Sequence, residues 1–132
     1  MLAEGSFSTI DFPGAILTIP RGINDSRQIS GVSLDATGIN HGFLLTGGSF
    51  NTIDYPGAIE TRGRGINNNG QIVGRYTDGT GKVHGFLLAG GRFSTIDFPG
   101  AIYTEVSEIN DSGEMVGLYT DAGGKTHGFV PE

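Results

Sequence analysis

Cysteine is absent from the 132 residues, so a disulfide framework, a thiolate metal site and a cysteine nucleophile are all excluded. Cationic side chains are scarce, with eight Lys and Arg against fourteen Asp and Glu and a formal net charge of −6. Nucleic-acid binding needs a clustered basic surface, so no nucleic-acid partner is expected. No apolar run approaches the ~20 residues of a membrane span, and the opening Met1-Leu2-Ala3-Glu4-Gly5-Ser6-Phe7 lacks the basic and apolar regions of a signal peptide. The expectation is a chain without a membrane span, whose export signal, if the gene product is exported, has been removed or lies outside this sequence. No window carries apolar residues at helical spacing, which predicts essentially no helix. Motifs of common catalytic classes are missing too. There is no Gly-x-Ser-x-Gly elbow, and Gly124-Lys125-Thr126 has Tyr119 where a phosphate-binding loop places its first glycine, so it reads as a hairpin turn.

What is present is repetition. The run Phe7-Ser8-Thr9-Ile10-Asp11-Phe12-Pro13-Gly14-Ala15-Ile16 returns from Phe50 to Ile59 and again from Phe93 to Ile102, each time after 43 residues. Ile23-Asn24, Ile66-Asn67 and Ile109-Asn110 keep the interval, as do Gly31, Gly74 and Gly117, and His41, His84 and His127, each followed by Gly-Phe. The copies divide the single domain 1–132 into 5–46, 47–89 and 90–132. The 24 glycines fall at fixed intervals among Ile, Val, Phe and Thr, as punctuation between strands.

Each copy reads as four short strands. In the second they run from Ile59 to Asn67, Gln71 to Thr77, Val83 to Leu88 and Arg92 to Phe98, separated by Asn67-Asn68-Asn69-Gly70, Asp78-Gly79-Thr80-Gly81 and Gly90-Gly91, and stopped by Pro99-Gly100. This is an antiparallel meander, the pattern of a β-propeller blade. The run Ile66-Asn67-Asn68-Asn69-Gly70-Gln71-Ile72-Val73-Gly74, followed by His84-Gly85-Phe86-Leu87, resembles the HAF repeat of bacterial extracellular proteins over nearly the whole chain. It departs from that repeat at the middle letter, where glycine replaces alanine, and in lacking the aromatic that often follows the leucine. The resemblance implies blades of a propeller and an extracellular or periplasmic origin, and it brings no catalytic residues.

Three blades do not close a ring, which takes about four to eight. The segment from Gly5 to Phe12 reads as an outermost strand, while the last copy reaches only a third strand, Lys125 to Val130. Exchange of the N-terminal strand between two chains would close six blades around a two-fold axis, so the expected assembly is a homodimer. The alternative fold is a β-trefoil, which also has three units of about 40 residues; the absence of tryptophan, and hence of a Gln-x-Trp pattern, counts against its lectin-like form.

Candidate sites follow from comparing the copies. The repeated Asp11, Asp54 and Asp97 are expected to bond neighbouring backbone. His41, His84 and His127 could converge on an axis as ligands for zinc or copper, although histidine beside Gly-Phe more often packs and hydrogen-bonds between blades. The strands leading into Ile-Asn should be innermost, and there the copies differ: Leu17, Ile19 and Arg21 correspond to Glu60, Arg62 and Arg64, and to Tyr103, Glu105 and Ser107, while Gly22 and Gly65 become Glu108. Glu60, Glu105 and Glu108, with Asn24, Asn67 and Asn110, offer oxygen ligands for calcium and candidate catalytic carboxylates. Arg62, Arg64 and Tyr103 are candidate ligand-binding residues, the arginines for an anionic group. Against this, the acids can be solvated strand ends and the asparagines turn formers.

Three functions are therefore open. The first is a repeat-built module binding a small molecule, a glycan or an ion at a channel or face. The second is a hydrolase of phosphotriesters, lactones or esters assisted by Ca or Zn. The third is a purely structural repeat.

Overall fold

The structure, a computed structural model, describes residues 6–131 and is all-β, without helix among those residues. Eleven strands follow in order: β1 (Leu17–Ile23), β2 (Ile29–Leu34), β3 (Asn40–Thr46), β4 (Ser49–Ile53), β5 (Glu60–Ile66), β6 (Ile72–Thr77), β7 (Val83–Ala89), β8 (Arg92–Ile96), β9 (Tyr103–Ile109), β10 (Met115–Thr120) and β11 (Thr126–Phe129). β1 to β4 form one antiparallel meander, β5 to β8 repeat it and β9 to β11 begin a third. A single parallel bridge, Val83 to Tyr103, joins the second and third units into one sheet.

The turns explain the meander. In the hairpins after β1, β5 and β9, the side-chain oxygens of Asn24, Asn67 and Asn110 each accept two backbone N–H bonds, at 2.8–3.1 Å. Asp35, Asp78 and Asp121 do the same in the next hairpin, as short polar side chains that hold a tight reversal. Gly70 and Gly113 take positive φ in the first hairpin, and Arg27 holds the equivalent place in the first unit at φ 65°.

The units pack on one another through β5 and β9. β5 lies against β1, β2 and β3, and β9 against β5, β6 and β7. Ile53, Ile66, Ile72, Tyr76 and Phe86 form one buried cluster, and Val73, Val106 and Ile109 the next. Close approach demands glycine: a Cβ on Gly74 would run into the carbonyl oxygen of Arg62 and stand 2.9 Å from the Phe86 ring. Gly31 and Gly117 occupy the same setting against Ile19 with Phe43 and against Glu105 with Phe129.

Two expectations are corrected. Residues 6–12 form no strand, and Gly5 lies outside the described residues; a lone extended segment has no ladder to join within the chain. Asp54 and Asp97 bond the imidazoles of His41 and His84 rather than neighbouring backbone.

The candidate functional site

Side chains of β3, β5, β6 and β9 converge in one polar cluster. Arg62 Nε donates to Glu60 Oε1 at 2.7 Å, and Asn40 Nδ2 donates to the same oxygen at 3.3 Å. Arg64 Nη2 stands 3.1 Å from Glu105 Oε2, and the Tyr103 hydroxyl donates to Glu105 Oε1 at 2.8 Å. Arg75 on β6 completes the chain, its Nη1 donating to the Tyr103 hydroxyl oxygen at 2.7 Å while its guanidinium lies 5.5 Å from the ring centroid. The alternation of β5, with Glu60, Arg62 and Arg64 on one face and Thr61, Gly63 and Gly65 buried on the other, places these groups together.

The electrostatics fit a site already organised for charge. Burial works against the ionised Glu60, but its bond to Arg62, with Arg62 and Arg75 nearby, holds it below the usual glutamate range. Burial raises Tyr103, as does its bond to Glu105, so the phenol stays protonated. Glu105 is buried, with both oxygens engaged. Arg75 Nε is buried without a hydrogen-bond partner among the described residues, and such an orphaned donor carries a cost of about 1–3 kcal/mol.

Five of the sequence candidates, Glu60, Glu105, Arg62, Arg64 and Tyr103, thus meet in one place. Glu108 stands apart, exposed and beside the backbone of Gly65. Arg75 was missed, although its counterparts Val32 and Leu118 are apolar and a charge at that repeat position was the available signal.

The histidines are held within their own units. His41 sits between Asp35 and Asp54, each at 2.8 Å, and His84 between Asp78 at 2.7 Å and Asp97 at 2.8 Å. His127 has Asp121 at 2.9 Å. The bond to Asp35 raises the His41 pKa; at His84 burial opposes the charged form, and the bonds to Asp78 and Asp97 outweigh it. Asn24, Asn67 and Asn110 spend their side chains on the turns and on a ladder between units, Asn24 Nδ2 donating to Asn67 O and Asn67 Nδ2 to Asn110 O, both at 3.0 Å. Among the described residues no His, Asp and Glu side chains gather as a metal-holding group. No helix there is long and apolar enough to cross a membrane.

Neither a protein-family model nor a curated protein matches the chain.

Proposed function

We propose that the chain is half of a six-bladed β-propeller, closed as a homodimer by exchange of the N-terminal segment, and that it is a binding module for a small polar molecule with an anionic group, such as an acidic sugar. The observation that carries the binding role is the convergence of Arg62, Arg64 and Arg75 with Glu60, Glu105 and Tyr103 across β5, β6 and β9. The guanidinium groups suit a carboxylate, the acids and Asn40 suit hydroxyls, and the Tyr103 ring offers a face for stacking.

The ring reading is supported by the two ends of the stack. Positions buried between units are exposed at its limits: Ile23 is 63% exposed where Ile66 and Ile109 are 7% and 6%, and Val116 is 46% exposed where Val73 is 0%. These faces are the two halves of the packing that already joins β5 and β9 to the units before them, so a second copy can continue it head to tail.

The binding role is tested by titrating glucuronate, with neutral glucose as the comparison, into ¹⁵N-labelled protein. Saturable shifts near Arg75 and Tyr103 that vanish in Arg75→Ala support it, while no shift for either sugar contradicts it. Binding that chelator abolishes and Ca or Zn restores would favour the metal-assisted hydrolase instead.

A further inference from the structure

We infer that the free edge of β11 is the docking site for residues 7–10 of a second copy, in antiparallel register with Ile10 opposite Gly128, Thr9 opposite Phe129 and Ser8 opposite Val130. The inference rests on the ring reading and gives it a register. The chain already contains this junction twice. β3 pairs with β4 through Gly42 and Ile53, Phe43 and Thr52, and Leu44 and Asn51; β7 pairs with β8 through Gly85 and Ile96, Phe86 and Thr95, and Leu87 and Ser94. Moving that register on by 43 residues brings the β11 edge against positions that correspond to residues 8–10.

Two further vacancies match the same segment. Phe50 packs between Phe12 and Phe43, at ring distances of 5.0 and 5.5 Å, and Phe93 between Tyr55 and Phe86, at 5.0 and 5.6 Å. In the third unit Phe98 and Phe129 stand 5.9 Å apart, with Tyr119 stacked on Phe98 as Tyr76 is on Tyr55, beside an open groove that Val130 and Pro131 also line, and among the described residues no ring takes the place that Phe50 and Phe93 hold in the first two units. The equivalent phenylalanine, Phe7, is 81% exposed. The histidine clamp repeats the pattern. His41 and His84 each hold two aspartates, whereas among the described residues His127 holds only Asp121 and the side chain of Asp11, the counterpart of Asp54 and Asp97, holds no partner. One segment of a second copy supplies the strand, the ring and the carboxylate together. The chain's own segment is a poor source, because Phe12 N–H is tied to Thr18 Oγ1 in the first unit and self-closure would make a ring of three.

The test uses the absence of native cysteine. Ser8 and Val130 are both exposed, so Ser8→Cys with Val130→Cys leaves the fold undisturbed, and directly opposed strand residues lie within disulfide reach. Mild oxidation of the double variant is expected to give a covalent dimer on a non-reducing gel, with neither single variant doing so. Phe7→Ala is expected to weaken association by about tenfold or more. A protein that is dimeric by light scattering yet does not cross-link, and whose association ignores Phe7→Ala, overturns the register while leaving the ring standing. A disulfide formed within a monomer overturns the second copy as occupant, and a monomer without cross-link overturns the ring itself.

Discussion

Asn24 donates its side-chain amide to the main-chain carbonyl of Asn67 at 3.0 Å, and Asn67 repeats the bond to Asn110 one unit further on. Each asparagine therefore closes its own hairpin and ties it to the next. Asn67 is buried and engaged on both sides, so Asn67→Ala should cost about 2–4 kcal/mol by leaving several polar groups without partners. Urea denaturation measures this, and Asn110→Ala, at an exposed position, should cost clearly less.

Between the same hairpins Asn68 separates two acids, its Nδ2 donating to Asp25 Oδ2 at 2.9 Å and to Asp111 Oδ2 at 2.8 Å. Asn68→Asp replaces the shared donor with a third carboxylate. The melting temperature should fall at pH 7; an unchanged melting temperature would show that these bonds carry no weight.

The histidine clamps make stability depend on pH in a defined direction. His41 and His84 are raised above 6.5 in the folded chain, so their contribution is complete below 6.5 and is lost as pH rises through the folded values. Asp35 and Asp78 are lowered below 3.8, first by the hydroxyls of Thr37 and Thr80 and then by the histidines, and Asp121 is lowered chiefly by His127. Their contribution is complete above 3.8 and is lost as pH falls. Calorimetric melting temperature should therefore peak between about pH 4 and 6.5 and decline towards pH 8.5, and the decline should be shallower in His84→Asn.

Arg27 alone among the described non-glycine residues has positive φ, where the other two units use Gly70 and Gly113. The left-handed conformation costs an L-residue about 1–2 kcal/mol, partly offset by the greater unfolded-state freedom of glycine, so Arg27→Gly should stabilise by about 0.5–1 kcal/mol in chemical denaturation.

Much of the fold was legible in the residues because the repeat carries its punctuation with it. Asn-x-x-Gly, Asp-x-x-Gly and Gly-Gly each mark a reversal, and the expected strands of the second copy differ from β5 to β8 by at most two residues at any end. The segment before Phe12 was read as a strand, but a strand exists only with a neighbour to bond, and local sequence does not say where that neighbour lies. The polar cluster was partly legible, since the places where the copies differ drew attention to Glu60, Arg62, Arg64, Tyr103 and Glu105. Arg75 escaped because it sits on β6, opposite Arg62 in the same hairpin, and its bond to Tyr103 is made between units. The aspartates of the histidine clamps lie 6 and 13 residues from their partners, distances that only the paired strands make short.

The central claim is that three units are half of a ring, and absolute mass in solution by light scattering on a sizing column tests it most directly. A species of twice 13.8 kDa, constant across dilution in the micromolar range, is the predicted result. A stable monomer with Phe7, Ile23 and Val116 left in water would contradict it.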